Sequence, residues 1–150
     1  MKVTKETKKA ITILVVKDNC VYLGERLNPN DNPGVLCFPG GKLETGEQPI
    51  QGALRELLQE TGLAANRLKP LGVIKLFNPD FGDYMSYGYY LKLPQGQKPE
   101  QTEPLKTGPW KLYPISQVME MPDQMLLAGT KLFLQATQQI LNSTPTPEIV

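Results

Sequence analysis

Between Gly41 and Leu63 the chain sets Glu47, Arg55, Glu56 and Glu60 in a run closed by a glycine at each end. This stretch limits the fold more than any other. Ile50, Ala53, Leu54, Leu57 and Leu58 recur at i, i+3, i+4, i+7 and i+8, the stripe of a helix packed on a core. Thr45, Gly46 and Pro49 are start signals, because proline is tolerated in a first turn. Thr61-Gly62 is a stop, with Gly62 free to take the left-handed conformation that ends helices. At about 100° per residue, Glu56 and Glu60 fall roughly 90–130° to one side of the stripe, at the border of core and water. Like charges four residues apart cost a helix about 0.2–0.5 kcal/mol. A helix that keeps them either shows them to solvent or uses them to hold a cation. Gly52, inside the helix, predicts close packing of another segment.

Upstream, Phe38-Pro39-Gly40-Gly41 reads as a tight turn whose backbone lets a ligand approach closely. Turn and acidic helix together make a cradle for a hard divalent cation carrying phosphates.

These residues resemble the Nudix box, Gly-x5-Glu-x7-Arg-Glu-U-x-Glu-Glu-x-Gly-U with U aliphatic. Gly41, Glu47, Arg55, Glu56, Leu57, Glu60, Gly62 and Leu63 match in register, and Gln59 stands where the family has the first glutamate of a pair. The resemblance implies that Glu56 and Glu60, with a backbone carbonyl near Gly41, bind Mg²⁺ or Mn²⁺ bridging substrate phosphates. Gln59 and Glu103 are further metal candidates. Gln keeps a carbonyl oxygen but loses charge, so one competent ion site with weaker recruitment of others is expected. Arg55 and Glu47 are counted with the catalytic set as the pair that braces the loop on the helix. Glu44 reads as a solvated loop charge.

The resemblance extends over most of residues 10–141. The run Glu103-Pro-Leu-Lys-Thr-Gly-Pro-Trp110 is similar to a Glu-Pro-x-Lys segment in a subgroup of small Nudix nucleoside-triphosphate pyrophosphatases, with Leu112 where that subgroup often has a second tryptophan. Arg26 matches an arginine that frequently contacts substrate phosphate. Phe38 and the tyrosines of residues 84–90 are candidates for stacking on a base, and Gly40 and Gly41 for close approach to substrate.

Element order agrees. Residues 10–17 and 21–27 are β-rich around an Asp18-Asn19 hairpin turn, followed by a loop over 28–35. Residues 71–77, 84–93 and 110–113 read as strands, 94–109 as a loop and 116–119 as a helical turn. Residues 123–141 read as one amphipathic helix with Asp123 as N-cap. Residues 1–9, with Lys2, Lys5, Lys8 and Lys9, and residues 143–150 read as loose tails. The expected architecture is a single domain with the Nudix α/β/α sandwich around a mixed, curved β-sheet.

With 150 residues, 40% hydrophobic and 21% charged, the composition suits one globular domain. A net charge of +1 offers no broad basic field for DNA. Without histidine there is no His-based acid–base chemistry and no His metal ligand. Cys20 and Cys37 lack zinc or redox spacing, and with no signal peptide they fit a reduced cytoplasm. No run is apolar enough to span a membrane. The expectation is a metal-dependent pyrophosphohydrolase that converts a nucleoside triphosphate to the monophosphate and pyrophosphate. Other nucleoside diphosphate derivatives (a nucleotide sugar, dinucleoside polyphosphate or capped RNA) and a non-catalytic nucleotide-binding domain are the alternatives. Many relatives pair, which makes a homodimer a candidate assembly.

Overall fold

The computed structural model describes residues 7–30, 32–77 and 82–143. Lys2 and Lys5 of the basic run, and the tail from residue 144 onward, lie outside them. Lys8 and Lys9 were expected in a loose tail but open the first strand, β1 (Lys8–Lys17). A two-residue turn with Asp18 at φ 55 leads into β2 (Cys20–Glu25). Two short strands follow, β3 (Leu36–Cys37) and β4 (Gly40–Lys42), and then helix α1 (Pro49–Thr61). Strands β5 (Lys69–Leu76), β6 (Tyr84–Lys92) and β7 (Lys111–Pro114) are succeeded by helices α2 (Ile115–Glu120) and α3 (Thr130–Asn142).

The sheet runs β3-β2-β1-β6-β5, with β4 added against β1 and β7 against β2. It is mixed. β1 and β6 are parallel, from Lys8 opposite Tyr84 to Val16 opposite Lys92, and the other pairs are antiparallel.

Alternation along β1 explains the layers. Ile11, Ile13 and Val15 share a core with Ala53 and Leu57 of α1, whereas Leu14 and Val16 share one with Ile115, Val118, Phe133 and Leu134 of α2 and α3. A strand buried on both faces must read as a continuous apolar run, and Ile11-Thr-Ile-Leu-Val-Val16 does. Each fully buried side chain of this size contributes about 1.5–3 kcal/mol, so both faces hold their helices firmly. Phe133 lies so close over Gly88 of β6 that any Cβ there would overlap its ring. The α/β/α sandwich is borne out.

Two further expectations need correction. Gly40 and Gly41 do not make a turn: they are strand residues of β4, opposite Thr12 and Ile11. Their lack of side chains serves close packing, since a Cβ on Gly40 would strike the Ile11 carbonyl. The single helix expected from Asp123 is broken. A 3₁₀ turn covers Asp123–Met125, Leu126 is extended and bridges Leu36, and α3 starts after Gly129 at φ 88. The Leu127 N–H donates to the Leu36 carbonyl at 3.0 Å. That long-range pairing, with a left-handed glycine after it, outweighs the local helical pattern.

Candidate active site

Helix α1 begins at a capping box: Gln48 is the N-cap and its backbone N–H donates to Gln51 Oε1 at 3.0 Å. Gly52 packs against Leu43 and Glu47, with a Cβ there falling 2.6 Å from Leu43 Cδ1. The helix ends at Gly62, φ 74, as expected. Its buried face is rotated from the expected stripe. Ile50 and Leu58 are 38% and 53% exposed, whereas Glu56 and Glu60 are only 7% and 3% exposed. The carboxylates therefore belong to the inner side of the helix. β4 and the segment over residues 100–110 come to lie on that side, which no local periodicity can register.

β4 places Gly41 directly on Glu56. A Cβ at Gly41 would sit 2.5 Å from Glu56 Oε1 and 2.7 Å from Oε2, so only glycine leaves room for this carboxylate. Arg55 then fixes it. Its Nε and Nη2 donate to Oε2 and Oε1 of Glu47 at 2.8 and 2.9 Å, a two-pronged grip. Nη1 donates to Glu56 Oε1 at 2.7 Å and to Gln59 Oε1 at 3.2 Å, and Nη2 also reaches the Lys42 carbonyl at 3.1 Å. The Arg55 hydrogen bond, aided by the Glu44 N–H, holds the Glu47 carboxyl down to about 2. Arg55 is raised in turn, chiefly by Glu47. Gln59 thus spends its oxygen on Arg55, one turn earlier on the helix.

Glu60 is met from the opposite side. Lys106 Nζ lies 2.7 Å from Glu60 Oε1 and 3.6 Å from Glu103 Oε2. Burial raises the Glu60 carboxyl above its ordinary value, Lys106 opposes the rise, and the charges of Glu103 and Glu56 add to it. Burial pulls the Lys106 ammonium down, but its bond to Glu60 and the surrounding carboxylates raise it overall.

Residues 100–110 form a strap that brings Lys106 there. A helix end leaves four carbonyls without intrahelical partners. In α1 they are all met: Leu58 by the Gly62 N–H, Gln59 by Thr102 Oγ1, Glu60 by Trp110 Nε1 and Thr61 by the Glu100 N–H. At its other edge the strap joins β2, where Thr107 bridges Arg26 and the Gly108 N–H donates to the Glu25 carbonyl. Thr107 and Trp110 pack on Gly24.

Arg26 is brought in by the same edge. Its side chain hydrogen-bonds the buried Cys37 thiol, which burial pushes up and which also feels the charges of Glu60 and Lys106. Strand alternation sends the neighbouring Phe38 to the opposite face, where it is buried with Leu14, Val118 and Phe133. A base-stacking role for Phe38 is therefore set aside. Tyr89 is buried in the α1-side core, Tyr87 packs half-buried beside it, and Tyr90 packs on the other face.

Sequence reasoning brought Gly41, Glu47, Arg55, Glu56, Gln59 and Glu60 to one place, and the structure joins Glu103 to them through Lys106. It passed over Lys106 itself, along with Thr102 and Trp110. The Glu-Pro-x-Lys segment was the available signal, but nothing in it names the partner of the lysine.

Among the described residues, no three His, Cys, Asp or Glu side chains converge as a ready metal cage. The donor set nevertheless fits a hard divalent ion. Two carboxylates from successive turns are buried, one of them, Glu56, directly against Gly41 of β4, and hard ions fill the remaining positions with water and phosphate.

The NUDIX domain family model matches residues 6–134. The chain belongs to the Nudix hydrolase family. This Nudix domain is 34% identical over 76 residues to an 8-oxo-dGTP diphosphatase of Proteus vulgaris, covering 51% of this chain and 68% of that protein. It is 42% identical over 52 residues to Nudix hydrolase 25 of Arabidopsis thaliana, covering 35% of this chain and 28% of the relative. Its fold superposes on a MutT Nudix hydrolase from Burkholderia pseudomallei with a TM-score of 0.76 at 21% identity, over 88% of this chain and 98% of the other. Nudix hydrolases generally use divalent metal ions. Among the described residues, no helix is long and apolar enough to cross a membrane.

Proposed function

We propose that this Nudix domain is a divalent-metal-dependent pyrophosphohydrolase of nucleoside triphosphates in the cytoplasm, releasing the monophosphate and pyrophosphate. One observation carries the reading: two carboxylates one helical turn apart, Glu56 and Glu60, are both buried, and Glu56 lies directly against Gly41 of β4. Glu56, Glu60 and the Gly41 carbonyl would hold Mg²⁺ or Mn²⁺, which when bound supplies charge neutralisation of phosphate oxygens and acidification of water. Gly40 and Gly41 bring backbone close to the phosphates, and Arg26 offers them a cation at the β2 edge. Water attacks phosphorus, the P–O–P link breaks, and a carboxylate takes the proton of the water. Glu56 Oε1 is engaged by Arg55, so Oε2 is the atom assigned that proton. Arg55 and Glu47 act by holding Glu56 in place. Most of the catalysis is then positioning and charge stabilisation.

The relative named 8-oxo-dGTP diphosphatase supports oxidised purine nucleotides as the first substrates to try, with clearance of damaged nucleotides as the role. The box handles the diphosphate and not the group attached to it, so nucleotide sugars, dinucleoside polyphosphates and capped RNA belong in the same panel. Gln59 favours a second reading, nucleotide binding without turnover, because its amide serves Arg55 and brings no third charge to an ion. The test is pyrophosphate and phosphate release across the panel, with Mg²⁺ and with chelator, for wild type and Glu60→Gln. We expect Glu60→Gln to lose about 10²-fold or more in rate, the scale of removing one preorganised charge-stabilising group. Equal rates remove the metal assignment, and ligand-induced melting shifts without turnover establish the second reading.

A further inference from the structure

Glu56 and Glu60 are each met by an internal cation, and the two cations are held very differently. Arg55 has five hydrogen bonds to four partners. Lys106 has one short contact, to Glu60, and a longer one to Glu103. The backbone of Lys106 is fixed, its N–H donating to the Glu103 carbonyl at 3.0 Å and its carbonyl accepting from the Leu27 N–H at 2.9 Å. Its side chain is 51% exposed. A four-carbon stem on a fixed backbone, open to water on one side, can move its ammonium while the strap stays in place.

A carboxylate 3% exposed cannot keep its charge without a partner. A divalent ion on Glu60 would supply a stronger partner and repel an ammonium bonded to the same group. The displaced ammonium has Glu103 within reach on its own turn. It also shares a flank of the site with Arg26, since both act on the Cys37 thiol and Arg26 bridges the residue next to Lys106. Two cations on one flank, beside a metal-bearing carboxylate, outline a place for a polyphosphate chain.

We propose that Lys106 is an exchangeable counter-ion: it holds Glu60 while no divalent ion is bound, yields Glu60 to that ion, and passes to the polyphosphate of the substrate. This rests on the metal reading above. Its signature is a pair of opposite effects. Removing the ammonium frees Glu60 for metal and so strengthens binding of the ion alone, yet takes a contact from the substrate and so weakens binding of the nucleotide. A lysine that only supported the local structure would weaken both.

The experiment measures Mn²⁺ binding without nucleotide, by the electron paramagnetic resonance signal of the free ion, for wild type, Lys106→Met, Lys106→Arg and Glu60→Gln. The same proteins are then assayed for KM with the best nucleoside triphosphate at saturating Mg²⁺. Lys106→Met is expected to bind Mn²⁺ on the order of tenfold more tightly, within the range by which one bound group commonly changes the affinity for another, and to raise KM by a similar factor. Lys106→Arg stays near wild type in both. Unchanged or weaker Mn²⁺ binding by a folded Lys106→Met overturns the proposal, as does an unchanged KM. If Lys106→Met fails to fold, Lys106→Gln carries the same two expectations. Mn²⁺ binding that survives undiminished in Glu60→Gln refutes the metal reading itself, and the exchange role with it.

Discussion

Arg55 is approached from three sides, by Glu47 across the loop, by Glu56 beside it and by Gln59 one turn on. Its grip on Glu47 has a consequence in acid. The carboxyl of Glu47 lies at about 2 in the folded protein against an ordinary 4.5. A carboxyl depressed by folding adds stability at pH values above its unfolded pKa, and that contribution fades as pH falls toward the folded one. Between pH about 4.5 and 2, Glu47→Gln should therefore lose less stability than wild type, after starting from a lower plateau at neutral pH. Urea midpoints across that range check it. Parallel curves for the two proteins would show that the grip contributes nothing to folding.

Among the elements, the strap over residues 100–110 does most to shape the site, because it finishes α1 as well as delivering Lys106. Trp110→Phe keeps the ring over Gly24 and removes the N–H given to the Glu60 carbonyl. Leaving such a carbonyl unpaired costs about 1–3 kcal/mol when buried. We expect roughly 1 kcal/mol here, since Trp110 is half-buried, read as a lower urea midpoint at unchanged slope. The strap also explains what could and could not be anticipated. The hairpin at Asp18-Asn19, the start of α1 at Pro49 and its stop at Gly62 rest on neighbours within a few residues, and they were legible. So was the strand run of residues 84–93, through its tyrosines. The facing of α1 does not follow its apolar stripe, because Gly41 and the strap, not apolar content, decide which side is covered. Gly40 and Gly41 read locally as a bend because glycine signals freedom, whereas in the fold they mark contact. The break before α3 depends on Leu126 pairing with Leu36, far away in sequence. Lys106 eluded local reading for the same reason: its partner is 46 positions distant.

Across the whole molecule, the buried acids work against stability, a cost that the proposed metal role would offset. Glu60 is raised by burial, so keeping it charged at neutral pH works against the folded state. In chelator, Glu60→Gln should melt at or slightly above the wild-type temperature, by up to about 2–4 °C per kcal/mol recovered in a domain of this size. In Mg²⁺ the order should reverse. A ligand at a hundred times its Kd adds about 2.7 kcal/mol to the protein that binds it, and nothing to one that does not. Calorimetry of both proteins in both buffers decides the matter, and a wild type indifferent to Mg²⁺ would count against the site.

The last three carbonyls of α1 take their donors from Glu100, Thr102 and Trp110, some forty to fifty positions downstream. A nascent chain that has emerged only as far as β6 already holds every residue of the acidic motif. Its carboxylate helix nonetheless stays open at one end, and any truncation that stops short of Trp110 leaves the Glu60 carbonyl without its indole donor.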